Sequence, residues 1–395
     1  MSEERILILV LGMHRSGTSV LTRVLNLLSA DVGQDLLGAR QDINARGFWE
    51  HRELIAINEK LLSALDGSWY DFRPLPSGVW TGETIAGFQD QAVSFLNSAF
   101  AGAATLAVIK DPRLCLLLPF WESAARQAGW KPVVVLATRS PAEVGASLCH
   151  RDPLTPSSAD LLWLRYTGDS EKSSRGLPRV CVDYAGLLAD WKTTLDRVGA
   201  ALGISWPVST GTASEAVSQA IDPGLRHQQE APERQGKLGE LTRQAWQLLQ
   251  SGDPDRQALD AVWQTCDRLL EDGGELTNAL AATNRRLFAV NNELQALGED
   301  HRKALDVVAE KDEQIEKLAG ELEHAHAVID ERDAQIVGLS RELEYARSVV
   351  EERDAQLQKL AGELEHAVSI VEERDAQLNH TAVKIVRKLF AVDRQ

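Results

Sequence analysis

An eight-residue segment near the start of the chain has the composition of a phosphate-binding loop. Gly12-Met13-His14-Arg15-Ser16-Gly17-Thr18-Ser19 follows an apolar run and precedes a segment with helical periodicity. In that position, successive backbone N–H groups and the N-terminus of the next helix both favour phosphate. Gly12 and Gly17 have the spacing of the pattern G-x-x-x-x-G-K-[ST], but Thr18 stands where the lysine belongs, and the strong cation of the loop is Arg15. The alternative is an ordinary glycine turn between a strand and a helix.

Two further polar clusters follow apolar runs in the same way. They are Lys110 to Arg113 and Arg139 to Ser147. Because apolar runs alternate with helical patterns, the sequence predicts an α/β fold with a parallel sheet flanked by helices and a ligand site at the carboxyl ends of its strands. The predicted strands are Arg5–Leu11, Thr105–Ile109, Pro132–Ala137 and Val180–Tyr184, and the predicted helices between and after them include Thr18–Leu28, Pro141–Cys149 and Ala185–Leu202.

The first and third clusters resemble the two cofactor motifs of sulfotransferases that use 3′-phosphoadenylyl sulfate (PAPS). The family's P-loop-like segment, which holds the 5′-phosphosulfate, has a basic residue and then Ser-Gly-Thr, as this chain has from Arg15 to Thr18. In the family, an Arg, a Pro two residues later and a Ser eight residues after the Arg hold the 3′-phosphate. They match Arg139, Pro141 and Ser147. The resemblance therefore implies that PAPS is bound by His14, Arg15, Ser16, Gly17, Thr18, Ser19, Arg139 and Ser147, without a metal.

Three shorter segments extend this resemblance over roughly residues 5–230. Residues 109–115 (IKDPRLC) resemble a strand-end Lys-Asp-Pro of the same families. Residues 45–50 (ARGFWE) and 221–227 (IDPGLRH) are similar to segments of bacterial sulfotransferases of the carbohydrate-modifying type. The resemblance implies a hydroxyl acceptor on a sugar or glycan, and a role in polysaccharide modification.

Transfer of a sulfuryl group needs cations at the leaving phosphate and a general base at the acceptor hydroxyl. Arg15 and Lys110 are the predicted cations, although Lys110 could instead pair with a carboxylate. Glu50 is the first candidate for the base, because aromatic neighbours could desolvate it, and His51 is the second. Glu50 could also be a carboxylate that favours a helix N-terminus.

Other residues near these motifs are left with open roles. Asp111 and His14 are weaker candidates for the base, and His14 is also interpreted as a structural residue or a cofactor contact. Arg113 could bind an acidic substrate or cap its own loop. Arg226 and His227 could close over the cofactor.

The last third of the chain is a repeat. The motif EKDEQ at residue 310 and ERDAQ at residues 331, 352 and 373 recur every 21 residues, which is three heptads. If Ile315 is position a of a heptad, the next ten a positions, up to Ile385, are all apolar. The d positions repeat the order Leu, Ala, Arg, beginning at Leu318. This pattern predicts a long α-helical coiled coil and a homo-oligomer. A single solvated helix is the alternative.

Composition sets the remaining limits. All ten tryptophans and all thirteen prolines precede residue 264, so we divide the chain into a sulfotransferase-like domain (1–230), a helical connector (231–275) and a coiled coil (276–395). The net charge of −16 argues against nucleic-acid binding. No apolar run is long enough for a transmembrane segment, and four widely spaced cysteines favour a cytoplasmic location. The basic, amphipathic segment 384–390 could contact a membrane surface, or it could be a solvated helix end.

The sequence thus predicts a cytoplasmic PAPS-dependent sulfotransferase fused to an oligomerising coiled coil. A kinase-like nucleotide phosphotransferase is the second interpretation, weakened by Thr18 in place of the lysine. A third is a non-catalytic coiled-coil scaffold in polysaccharide assembly.

Overall fold

A computed structural model of the chain describes residues 4–38, 47–76, 78–102, 104–221, 234–251, 254–322 and 329–391. For residues 315–322, 329–335, 372 and 375–391 of these, only the backbone is described. Contacts divide the chain into two compact units, Met1–Asn284 and Arg285–Gln395. The domain limits that the sequence predicts, 1–230, 231–275 and 276–395, remain predictions.

The first unit contains a four-stranded parallel sheet, as predicted. Its strands are β1 (Ile6–Leu11), β2 (Leu106–Lys110), β3 (Lys131–Thr138) and β4 (Arg179–Asp183), in the order β2-β1-β3-β4. All pairs are parallel, with Val10 opposite Lys110 and Thr138 opposite Asp183. The strands are short, continuous apolar runs because helices cover both faces of the sheet.

Helices follow each strand in the first unit. They are α1 (Thr18–Leu27), α2 (Arg52–Ala64), α3 (Glu83–Ala99), α4 (Leu114–Gln127), α5 (Pro141–Arg151), α6 (Pro156–Ser173), α7 (Tyr184–Ala189), α8 (Trp191–Leu202), α9 (Ser214–Ala220), α10 (Gly236–Gln250) and the first part of α11 (Arg256–Leu322). The single helix predicted over 185–202 is wrong. The chain breaks at Asp190, whose carboxylate accepts the Thr193 N–H at 3.0 Å and starts a new helix, α8.

The core lies on the two faces of the sheet. On one face, Ile8 and Val10 of β1 pack with Val133 and Val135 of β3 against α1, α8 and α9. On the other face, α4 packs on β1 and β3, and α6 packs on β3. Because this packing holds the strands in place, the loops at their carboxyl ends also start from fixed positions.

The second unit consists of the rest of α11 and α12 (Ile329–Ala391). Inside α11 the backbone departs from helical angles at Gly274, with φ 43° and ψ −112°. Long α-helix is therefore the observed form of the described residues of the repeat region, whereas its assembly into a coiled coil remains a prediction. Within the described ranges, no helix is both long and apolar enough to cross a membrane.

Candidate active site

The loop between β1 and α1 needs glycine at two positions, Gly12 and Gly17. Gly17 has φ 83°, and a Cβ at this position would overlap the ring of Tyr184. A Cβ at Gly12 would lie 2.7 Å from the Ala137 carbonyl oxygen. The Gly12 N–H donates to the buried Cys115 thiol at 3.0 Å. The two glycines therefore let the loop pass close to β3 and to Tyr184, the first residue of α7, at the carboxyl edge of the sheet.

Lys110 links this loop to the segment that carries Glu50. Its ammonium donates to the Ser19 hydroxyl at 3.1 Å, to the Phe48 carbonyl at 2.8 Å and to the Glu50 carboxylate. Lys110 is 2% exposed and Glu50 is 8% exposed. Both charges are therefore desolvated, and each is the other's ion-pair partner. We call Lys110, Glu50 and Ser19 the lysine cluster.

The electrostatics of the lysine cluster favour a basic carboxylate. Burial raises the pKa of Glu50 above its ordinary value, and the nearby Lys110 charge opposes part of that rise. Glu50 precedes α2 by two residues and is not the residue that caps it. Its carboxylate instead pairs with Lys110. This geometry does not support the alternative role, in which Glu50 only stabilises the N-terminus of a helix.

The two motifs that the sequence separates by more than 120 residues meet at Arg15. The Arg15 Nε donates to the Ser147 hydroxyl at 2.8 Å, and Arg139 donates to the Arg15 carbonyl at 3.0 Å. Pro141 is the first residue of α5 and Ser140 is its N-cap, so Arg139 lies just before the start of the helix. Burial and the neighbouring Arg151 and Arg139 charges lower the pKa of Arg15. Several positive groups therefore crowd one small space.

Glu143 was missed by the sequence analysis. Its carboxylate accepts from the Arg139 Nε at 2.8 Å, and it is 5% exposed. Arg139 also lies over the Tyr184 ring, at 4.7 Å from the ring centre. Glu143 lies in the first turn of α5, whereas Arg139 precedes the N-cap residue Ser140, so no helical spacing in the sequence marks this pair.

The two candidate histidines, His14 and His51, lie in different surroundings. The His14 ring contacts Trp69, with ring centres 4.6 Å apart, and burial together with nearby Arg and Lys charges lowers its pKa well below the ordinary value. The His51 ring packs edge-on against Phe95 and Phe100, at 5.2 and 5.9 Å. Burial lowers the pKa of His51 to about 4. The structure thus brings Glu50 to Lys110 and Ser19, and turns the His51 ring toward these phenylalanines.

A second buried ion cluster lies beside the first. Asp111 is fully buried and accepts from the Arg113 N–H at 2.9 Å, from the Arg113 guanidinium at 3.0 Å and from the Asn58 amide at 3.0 Å. Arg113 also donates to Glu59 at 2.7 Å. We call Asp111, Arg113, Asn58 and Glu59 the aspartate cluster. Its geometry favours the capping role for Arg113 over substrate binding, and it engages Asp111 on several sides.

Some predicted segments fall outside the described residues. These are Arg46 and the part of 221–227 that follows Ile221, including Arg226 and His227. Within the described ranges, no group of three or more His, Cys, Asp or Glu side chains is arranged to hold a metal ion.

Of the comparisons with known proteins, the one with solved structures found similarity. No family model matches the chain, and no curated protein matches it. The chain is similar to a sulfotransferase domain from the olefin synthase of Synechococcus PCC 7002, with 15% identity and a TM-score of 0.33 over 67% of this chain and 95% of that one.

Two other solved structures are similar at the same level. One is the sulfotransferase STF1 from Mycobacterium tuberculosis H37Rv, with 16% identity and a TM-score of 0.34 over 55% of this chain and 72% of that one. The other is a sulfotransferase domain from the curacin biosynthetic pathway, with 19% identity and a TM-score of 0.32 over 67% of this chain and 98% of that one.

Proposed function

We propose that this chain is a PAPS-dependent sulfotransferase that moves a sulfuryl group to a hydroxyl of a sugar or glycan. One observation carries the proposal: the phosphate loop, the Arg139–Ser147 motif and the Lys110–Glu50 pair converge on one site. Arg15 bonds to Ser147 at 2.8 Å and accepts from Arg139 at 3.0 Å, while Ser19 of the same loop accepts from Lys110 at 3.1 Å. A loop for the 5′ end, a cation for a 3′-phosphate and a desolvated carboxylate are the parts that this reaction needs.

The residues present fit PAPS as a substrate. Gly17 has a left-handed backbone conformation, with φ 83°, directly before α1, whose N-terminus no side chain caps. That environment suits the anionic 5′ end. Arg139 and Ser147 lie on α5 and its preceding loop, where they suit a second phosphate. PAPS, when bound, supplies the sulfuryl group and a phosphate leaving group.

The chemistry assigned to the chain is proton transfer and charge stabilisation. The acceptor hydroxyl forms a bond to sulfur, the bond from sulfur to the 5′-phosphate breaks, and the hydroxyl proton moves to the Glu50 carboxylate. The products are a sulfate ester and 3′-phosphoadenosine 5′-phosphate. Arg15 and Lys110 stabilise the charge that grows on the leaving phosphate. The raised pKa of Glu50 suits a general base, since it brings the carboxyl toward working pH.

Calorimetric titration tests the substrate class. We expect 3′-phosphoadenosine 5′-phosphate to bind the full chain more tightly than ATP with Mg²⁺, because Thr18 replaces the lysine that ATP-binding loops use. Tighter binding of ATP with Mg²⁺ would support the kinase-like alternative and end the sulfotransferase proposal. Absence of binding by either nucleotide would support the non-catalytic scaffold.

We also propose that the repeat region assembles the chain into a homo-oligomer. Ile336, Leu339 and Leu343 occupy successive a and d positions of α12, and they are 49%, 41% and 45% exposed in the single chain. A second copy would bury this stripe. Residues 276–395 expressed alone should sediment as an oligomer and show a helical circular dichroism spectrum. A monomeric, unfolded fragment would contradict the assembly but not the enzymatic proposal.

A further inference from the structure

An open cleft lies beside His51, which follows Glu50 in the chain but turns away from the lysine cluster. The cleft has a volume of about 430 Å³ and lies between residues 31–35, the start of α2 and the end of α3. Its described lining includes His51 and Glu53, but no residue of the lysine cluster or of the aspartate cluster. The cleft is therefore separate from the proposed site of sulfuryl transfer, and its size suits a small organic molecule.

His51 is the buried polar group of this cleft, with its side chain 2% exposed. Burial lowers the pKa of His51 to about 4, and the Val32 carbonyl, acting as a hydrogen-bond acceptor, and the Asp31 and Asp35 charges oppose only part of that fall. The imidazole is therefore neutral near pH 7. A neutral ring that turns its N–H toward Val32 keeps its other nitrogen as an acceptor, and no donor among the described residues reaches that nitrogen.

Gly33 keeps space open beside the imidazole. Its φ is 67°, and a Cβ at this position would lie 2.7 Å from the His51 Nε2 and 3.2 Å from the Ala99 carbonyl oxygen. Ala99 is the last residue of α3, so its carbonyl is one of those that the helix leaves without an intrahelical partner. Arg5 donates to the next carbonyl, that of Phe100, at 3.0 Å, but it does not line the cleft. The negative end of a helix therefore borders the cleft next to the imidazole.

Three carboxylates add to this negative potential. Asp31, Asp35 and Glu53 line the cleft, and its described lining contains no Lys or Arg. One oxygen of Asp31 accepts the Gly33 N–H at 2.8 Å. Asp35 lies 3.4 Å from the Arg52 guanidinium, and these two side chains are 75% and 59% exposed. Because a pair this exposed is weak, it leaves Asp35 able to attract a ligand cation.

The form of the cleft favours an organic cation over a metal ion. In the parts of the chain that the structure describes, no three His, Cys, Asp or Glu side chains are arranged around one ion. Phe95, Ala99 and Ala101 contribute apolar wall between the polar groups. An aliphatic chain that carries ammonium groups has the complementary form. Its methylenes can cover the apolar wall, while its N–H groups donate to carboxylates and to the free imidazole nitrogen.

We propose that this cleft binds an aliphatic polyamine, a chain with two or more ammonium groups, through Asp31, Glu53 and the acceptor nitrogen of His51. The binding is independent of the proposed sulfotransferase activity, because neither the nucleotide nor the lysine cluster takes part in it. The two proposals can therefore fail separately.

Calorimetric titration of the full chain without nucleotide tests the site, in about 150 mM NaCl to screen weak attraction between exposed charges. The probe is spermidine, with triethylene glycol as an uncharged chain and Mg²⁺ as an inorganic cation. Spermidine should bind more tightly than either. Asp31→Asn combined with Glu53→Gln should weaken spermidine binding about tenfold or more, because two charged partners are lost. His51→Phe keeps the ring but removes its nitrogens, and it should weaken binding about tenfold.

A matched control removes the same number of charges elsewhere on the same unit. Glu83→Gln combined with Asp90→Asn changes two exposed carboxylates of α3 that do not line the cleft, and it should leave spermidine binding unchanged. Equal losses in the two double variants would show attraction to the net charge alone and would overturn the proposal. Absence of spermidine binding by the wild type, or equally tight binding of Mg²⁺, would overturn it too. Circular dichroism checks that each variant folds, and if the Asp31 and Glu53 double variant does not, His51→Phe decides.

Discussion

Two consecutive residues at the end of β2 serve two different ion clusters. Lys110 belongs to the lysine cluster and Asp111 to the aspartate cluster, and both side chains are almost fully buried. Asp111 bonds to the backbone and side chain of Arg113, two residues away, and to Asn58 of α2. Lys110 instead reaches Ser19 and the segment from Phe48 to Glu50, which belong to distant parts of the chain.

The contrast separates a cluster that supports the fold from one that is suited to chemistry. In the aspartate cluster, burial lowers the pKa of Arg113 but the Asp111 and Glu59 charges outweigh it, so the pKa is raised and the guanidinium stays charged. In the lysine cluster, burial of Glu50 outweighs the Lys110 charge, so the pKa of Glu50 is raised and its charged form is less favoured. A buried carboxylate that still takes up a proton easily can act as a base, whereas a well-satisfied ion cluster holds a loop in place.

Replacing Asp111 should have the largest effect of the changes that test this contrast. Asp111→Ala leaves the buried Arg113 charge without its main partner, so the free energy of unfolding should fall by about 3–5 kcal/mol. Urea denaturation measures it. Glu59→Ala is the control, because the Glu59 side chain is 56% exposed and its loss should cost at most about 1 kcal/mol. Equal, small effects from both changes would show that the aspartate cluster does not hold the fold.

Asp160 is a third buried carboxylate, and it tests the effect of burial on the pKa where the ion pair is weak. Burial raises the pKa of Asp160 to about 6, and Arg234, 3.8 Å away, offsets this only in part. The folded state therefore keeps the proton more tightly than the unfolded state, and stability is lost as pH rises from about 4 through 6. Asp160→Asn should be more stable than the wild type by up to about 3 kcal/mol at pH 7.5, with little difference at pH 3.5. Urea denaturation at both pH values measures this, and a variant less stable at pH 7.5 would show that the Arg234 contact outweighs burial.

Glu50→Gln tests the chemical role of the lysine cluster. Glutamine keeps an oxygen for Lys110 but cannot accept the proton, so turnover should fall by on the order of 10²-fold or more while the affinity for 3′-phosphoadenosine 5′-phosphate is nearly unchanged. In the wild type, the rise of kcat/KM with pH should be centred above the ordinary glutamate pKa, since the Glu50 pKa is raised. Steady-state assays with PAPS and a sugar that the chain binds measure both.

His51→Phe is the control for Glu50, because the His51 ring already packs against Phe95 and Phe100. It should leave turnover within about threefold of the wild type, which corresponds to less than about 1 kcal/mol. If Glu50→Gln keeps full turnover and His51→Phe loses it, the base is His51 and the lysine cluster is structural.

Arg139→Ala tests whether an ion pair can serve a ligand instead of the fold. Because a charge-assisted bond to phosphate contributes roughly 1.5–3 kcal/mol, the variant should bind 3′-phosphoadenosine 5′-phosphate about 10- to 150-fold more weakly. Binding of 5′-AMP, which lacks the 3′-phosphate, should hardly change. Calorimetry with the two nucleotides gives the ratio, and an equal loss for both would mean that Arg139 and Glu143 only hold α5 to the loop.

The sequence by itself determined the four strands of the first unit and some of its helices, among them α1 and α5. The predicted strands lie within one residue of the observed ends, because continuous apolar runs bounded by Gly, Pro and charged residues define a buried strand locally. The glycine spacing of the loop and the helical repeat after residue 276 are also local patterns.

Only the tertiary structure decided which charges meet. Lys110 and Glu50 are 60 residues apart, and Arg15 and Ser147 are 132 apart, so no local pattern links them. Their contacts arise because parallel strands bring their carboxyl ends to one edge, with β1 between β2 and β3. The different surroundings of Glu50 and His51 have the same origin. Neighbours on an extended segment point to opposite sides, and packing alone set Glu50 toward Lys110 and His51 toward the phenylalanines of α3 and its end.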